Sequence, residues 1–163
     1  RRGAYCVVAA DVGYGQLAWE IQQNPKVVIL DRTNIRHLTG ELVGDPIDLV
    51  VADLSFISLT LVLPALAAVS KPEADYVLMV KPQFEVGRER LGAGGVVRDP
   101  ALRKAAVLEV AESAYDVGLG TLGVTASPLP GPAGNVEYFL WLRRGAPAID
   151  EAALDRAIEI GPQ

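Results

Sequence analysis

The stretch YVLMVKPQFEVG, residues 76–87, decides the fold. Its apolar part runs unbroken from Tyr76 to Val80, and a run without polar alternation reads as a strand buried on both faces, as in a parallel sheet. The run ends on Lys81, followed at once by Pro82. Parallel strands place whatever follows their carboxyl ends at the ligand edge of the sheet, so Lys81 is a candidate functional residue.

Three further runs share this design: CVVAAD (6–11), VVILD (27–31) and IDLVVAD (47–53). Each ends on an acid and is followed by a loop or a helix-like stretch, the rhythm of an α/β protein with a mostly parallel sheet. QLAWEIQQ (16–23) and SLTLVLPALAAV (58–69) read as helices, the second with Ser58 as N-cap and a kink or late start at Pro64. Residues 82–98 carry Gly92, Gly94 and Gly95 with mixed charges and no period, which marks a surface loop placed to act as a lid behind Lys81.

Asp99 and Pro100 then supply an N-cap and a first-turn proline. The helix they open has Val107, Val110, Ala111, Ala114 and Val117 at helical spacing and stops at Gly118. LGTLGVTASPL (119–129) reads as a strand and PGPAGN (130–135) as a tight loop. VEYFLWLRR (136–144) reads as a strand returning antiparallel to its predecessor, and Asp150 caps a closing helix.

The 163 residues suit one domain with a sizeable core. The single cysteine, Cys6, lies in an apolar run and reads as a buried small hydrophobe, consistent with a reducing, cytoplasmic setting. The apolar patch in the start RRGAYCVVAAD is too short for a signal-peptide core, and no segment approaches the roughly 18 apolar residues of a membrane span. A net charge of −5 argues against a chain whose affinity comes mainly from neutralising phosphates, although Arg88, Arg90, Arg98, Arg143 and Arg144 offer a local basic patch.

Several residues can carry chemistry. Gly13, Gly15 and Ala18 after a strand match the dinucleotide pattern G-x-G-x-x-G/A, with Asp31 near the place of a ribose-binding acid. Asp11 and Asp31 both close strands where ribose hydroxyls are usually bound. Asp53 closes DLVVAD, either as a site carboxylate or as a cap for the next helix, and Phe56 follows it, either on the same edge of the sheet or as core. Glu137 interrupts an apolar strand, which places it at an edge or against a buried cation. Asp53, Lys81 and Glu137 are therefore expected to converge at one sheet mouth, with the lysine held between two carboxylates.

ADVGYGQLAW, LDRTNIR, DLVVADLSFISL, VKPQFEVG and ASPLPGPAGNVEYFLWL together resemble the FtsJ-like methyltransferase domain of the haemolysin A (TlyA) family over nearly the whole chain. The resemblance implies a Rossmann-like, S-adenosylmethionine-dependent methyltransferase acting on ribose 2′-hydroxyls of ribosomal RNA, at cytidine. It also implies an antiparallel C-terminal strand and a Lys-Asp-Lys-Glu tetrad whose last three members fall on Asp53, Lys81 and Glu137. Asp11, Val12, Asp31, Arg32, Thr33, Asp53 and Leu54 would then meet the cofactor, with Phe56, Gln83 and Asn135 on the substrate side. No metal is required.

The family's first tetrad lysine and glycine-rich first strand have no counterpart here. CVVAAD then aligns with the second strand, and the dinucleotide pattern at Gly13 and Gly15 becomes a decoy. The family also carries an N-terminal S4-like RNA-binding domain, so residues 1–163 are expected to be part of a longer protein that binds ribosomal RNA or a ribosomal subunit. Two rival readings remain at this point: a nicotinamide-dependent oxidoreductase built on GYGQLA and Asp31, and a non-catalytic scaffold or haemolysin-like protein.

Overall fold

A computed structural model describes residues 3–162, the side chain at position 88 excepted; the paired arginines Arg1 and Arg2 lie outside the described residues. The four apolar runs all form strands: β1 (Val7–Ala10), β2 (Val27–Leu30), β3 (Ile47–Ala52) and β4 (Ser70–Val80). β1 pairs parallel with β2 from Val7 opposite Val27 to Ala10 opposite Leu30, and β3 pairs parallel with β4 up to Ala52 opposite Leu78. The chain then adds β5 (Leu119–Ala126) and β6 (Tyr138–Arg144), which pair antiparallel with each other.

Two features of the sheet differ from expectation. The hydrogen-bonded ladder is divided into a β1-β2 pair and a four-stranded sheet of order β3-β4-β6-β5. Side chains bridge the division: Leu38, Val43 and Val69 form a cluster against which Val8 and Leu30 of the small sheet and Ile47 of the large one both pack. The returning strand β6 is also not merely the partner of β5, because it inserts between β5 and β4 with Tyr138 opposite Val80. That insertion brings the start of β6 to the carboxyl end of β4.

One face of the large sheet is covered by α5 (Pro100–Asp116) and α6 (Glu151–Ile160). Tyr76, Leu78, Leu140 and Leu142 bury against Val107, Val110, Ala111 and Ala114 of α5 and against Leu154, Ala157 and Ile158 of α6. Each fully buried Val or Leu in this layer contributes roughly 1.5–3 kcal/mol relative to exposure. The Asp99 carboxylate accepts from the Ala101 N–H at 2.8 Å, and the Asp150 carboxylate from the Ala152 N–H at 3.0 Å, so both helices start where their caps dictate.

Shorter elements depart further. Only α1 (Trp19–Gln22) forms within 16–23, because Trp19 and Ile21 are exposed and no apolar stripe supports a longer helix. After α2 (Gly40–Val43), residues 59–61 make a 3-10 turn in which the Ser58 side chain accepts from the Thr60 N–H. α3 (Leu63–Ala68) starts late, with Pro64 in its first turn, where a missing N–H costs nothing. The segment behind Lys81 holds α4 (Pro82–Glu85) and two 3-10 turns, and it is anchored by Val86 and Val97, both almost fully buried. Cys6 is exposed and not a core residue, since it precedes β1 and lies outside its ladder.

Candidate active site

The carboxyl ends of β3 and β4 meet in an ion pair. Lys81 Nζ lies 2.6 Å from Asp53 Oδ1, with the lysine side chain 13% exposed and the aspartate 65% exposed. The same ammonium donates to Ser55 Oγ at 3.2 Å. An ammonium has three N–H donors, so one is left for an oxygen presented from the open side. Asp53 is followed by a non-helical stretch and makes no cap hydrogen bond; the cap of the next turn is Ser58.

Glu137 does not complete the expected clamp. The register places it across from Lys81, one step beyond the Val80–Tyr138 pair, yet no ion pair joins the two. Its carboxylate is buried and accepts instead from Gln83 Nε2 at 3.2 Å. Lys81 is therefore held by one acid and one hydroxyl, and Glu137 reaches it only through the turn that carries Gln83. Gly131 allows this arrangement, because a Cβ there would lie 2.8 Å from Glu137 Oε1. Gln83 Oε1 is buried and without a partner.

Phe56 is 91% exposed, so the core reading of this residue fails. Its φ of 63° is left-handed, which for a side chain of this kind costs on the order of 1–2 kcal/mol. Its ring meets that of Phe84 at a centroid distance of 5.1 Å, a tilted contact between the loop after β3 and the turn after β4. Beside it, Glu85 accepts from the Ser58 hydroxyl at 2.5 Å and from the Leu59 N–H at 3.0 Å. Burial pushes the Glu85 carboxyl above its ordinary value, with Glu109 adding to the rise and the two hydrogen bonds opposing it.

The ends of β1 and β2 interlock. Asp11 Oδ1 accepts from the Gly13 N–H at 2.6 Å and Asp31 Oδ2 from the Gly15 N–H at 3.2 Å. The glycine amides are thus turned towards carboxylates and do not form an open phosphate cradle, which removes the dinucleotide reading. Backbone bonds from Arg32 to Gly13 and from Thr33 to Asp11 close the two loops on each other, and the Arg32 guanidinium lies 4.8 Å over the Tyr14 ring. Val12 is exposed beside Asp11, whereas Leu54 is half-buried against the main core.

Asn135 is buried, and both ends of its amide are used: Oδ1 accepts from the Val97 N–H at 2.9 Å and Nδ2 donates to the Gly95 carbonyl at 3.1 Å. It anchors the glycine-rich loop from this buried position. The basic patch is also smaller than expected. Arg143 is paired with Asp75 at 2.8 Å, Arg144 donates to the Ala67 carbonyl at 2.7 Å, and the Arg88 side chain lies outside the described residues. Sequence reasoning missed Ser55, Phe84 and Glu85, all within four residues of Asp53 or Lys81; that proximity was the available signal.

Acids at the ends of two parallel strands, with an ammonium–carboxylate pair at the ends of the next two, give an α/β domain whose sheet edge carries its charged groups, and its class is that of FtsJ-like methyltransferases. The chain belongs to the FtsJ-like methyltransferase family, whose profile matches residues 1–144. It is 58% identical, over 99% of its length, to the 16S/23S rRNA (cytidine-2′-O)-methyltransferase TlyA of Mycobacterium tuberculosis, of which it spans 62%. It is 33% identical to Hemolysin A of Brachyspira hyodysenteriae, covering 85% of this chain and 58% of that protein. A solved structure from Streptococcus thermophilus with a provisional hemolysin name superposes with a TM-score of 0.90 at 34% identity, covering 96% of this chain and 58% of that one. No helix among the described residues is long and apolar enough to cross a membrane.

Proposed function

We propose that this chain is the methyl-transfer unit of a ribosomal RNA 2′-O-methyltransferase acting on cytidine ribose. The observation that carries the reading is the Lys81–Asp53 pair, which leaves one ammonium N–H uncommitted at the sheet edge. A ribose hydroxyl is a poor nucleophile until its developing negative charge is stabilised, and a fixed ammonium does this best when it does not have to reorganise. Asp53 and Ser55 keep Lys81 in place, and Glu137 with Gln83 fixes the turn behind it. Phe56 offers its exposed face to the base of the target nucleotide, since RNA readers stack unpaired bases on aromatic rings.

The residues at β1 and β2 suit the adenosyl half of S-adenosylmethionine. Asp11 and Asp31 each spend one carboxylate oxygen on a loop amide and keep the other for a hydroxyl. Val12, Arg32, Thr33 and Leu54 would flank the nucleoside. When bound, the cofactor supplies an electrophilic methyl on a sulfonium, so the chain's own work is orientation and charge stabilisation. An S4-like RNA-binding domain would supply affinity that a chain of net charge −5 does not.

The test is transfer of labelled methyl from S-adenosylmethionine to ribosomal RNA or subunits, followed by nucleoside analysis. The reading predicts label in 2′-O-methylcytidine. Label on a base, or none, contradicts it.

A further inference from the structure

We infer that Glu85 is a positioning residue for methyl transfer, an inference that rests on the function proposed above. Glu85 belongs to α4, directly behind Lys81, yet both its carboxylate oxygens reach across to the segment that follows Asp53. Oε2 accepts from the Ser58 hydroxyl at 2.5 Å and Oε1 from the Leu59 N–H at 3.0 Å. Ser58 is itself committed, since its oxygen accepts from the Thr60 N–H at 3.1 Å and lies 2.7 Å from Thr60 Oγ1. The loop therefore cannot shift without breaking bonds at both ends of one carboxylate.

Between Asp53 and this anchor sits Phe56, held at a φ of 63° with its ring almost fully exposed. A strained, exposed aromatic residue relaxes unless its surroundings over-determine it. Two restraints are seen among the described residues: the Phe84 ring, 5.1 Å from the Phe56 ring, and the Glu85 carboxylate, which holds the chain just beyond it at Ser58 and Leu59. Both come from α4, so this one turn sets the Lys81 ammonium, the aromatic face and the loop carrying Asp53 and Ser55 relative to each other. Half-burying an acid with no ion pair to a cation among the described residues is unfavourable unless its hydrogen bonds are made, and Glu109 on α5 is an acid that adds to its rise. A carboxylate kept here for packing alone would be a poor choice, whereas a two-acceptor brace between catalytic loops needs one.

Phe56, Phe84 and Phe139 are the chain's only phenylalanines, so fluorine NMR of protein labelled with 4-fluorophenylalanine reads the contact directly and without activity. Glu85→Ala and, as a milder change, Ser58→Ala are expected to move the Phe56 and Phe84 signals together and leave Phe139 in place. In the same proteins kcat should fall about tenfold, with the Kd for S-adenosylmethionine and the KM for RNA within about twofold of wild type. Unmoved Phe56 and Phe84 signals in both variants overturn the brace, and moved signals with unchanged kcat overturn the positioning role. An inactive wild type is a different failure: it removes the proposed function and the catalytic part of this inference with it.

Discussion

Lys81 Nζ and Asp53 Oδ1 stand 2.6 Å apart although their residues are carried by different strands and are 28 positions apart in the chain. The parallel pairing of β3 and β4 ends with Ala52 opposite Leu78, so both side chains emerge at one edge. Asp53 is largely exposed, and an ion pair of that kind adds little to stability. Asp53→Asn is accordingly expected to leave the melting temperature close to wild type while lowering methyl transfer roughly a hundredfold through misplacement of the ammonium. Thermal melts and label-transfer rates on the same preparation check this.

Gly131 is where the loop before β6 lies against the second acid. Alanine there would bring its Cβ to 2.8 Å from Glu137 Oε1, the same oxygen that accepts from Gln83 Nε2, so the buried carboxylate would have to shift. Gly131→Ala should reduce turnover about tenfold or more, and Gln83→Ala, which removes the donor to the same carboxylate, should also lower it, with the two losses less than additive in the double variant. Rates of the single and double variants measure the coupling.

Asn135 anchors the loop between α4 and α5 from a buried position. Asn135→Ala leaves the Gly95 carbonyl and the Val97 N–H without their partner. The cost is expected at about 1–3 kcal/mol for each group left unsatisfied. Limited proteolysis should show faster cutting within 88–98, and denaturant unfolding should show the lost stability.

Glu85 makes activity and stability respond to acid in opposite directions. Its carboxyl is raised above its ordinary value chiefly by burial, with Glu109 adding to the rise. As pH falls through the raised value the carboxylate takes up a proton, the hydrogen bonds from Ser58 and Leu59 lose their anionic acceptor, and turnover should fall. Folding behaves otherwise, because the folded state holds that proton more tightly than the unfolded chain. The stabilising contribution is complete below the unfolded value and is lost as pH rises through the folded one. Rate–pH profiles and unfolding at each pH should show this divergence in wild type and its loss in Glu85→Gln.

The parts of the fold written as uninterrupted apolar runs were legible, because such runs have few places to go other than a sheet interior. The α5 stripe and its Asp99 cap were legible for the same reason: spacing and capping are local. What escaped was non-local. The insertion of β6 between β4 and β5 depends on pairing across more than fifty residues, and no local pattern encodes it. Lys81 and Asp53 were recognisable because charges ending apolar runs are conspicuous. Glu137 was assigned the wrong neighbour because a strand register fixes which backbones align and not which rotamers meet. Cys6 was misplaced inside because its apolar neighbours enter the strand and it does not.

The central claim is that the Lys81 ammonium acts on the ribose oxygen and not on the cofactor. Lys81→Ala tests it most directly, with methyl transfer to ribosomal RNA and calorimetric binding of S-adenosylmethionine measured side by side. The account predicts transfer abolished and cofactor binding nearly intact; unchanged turnover in Lys81→Ala would contradict it.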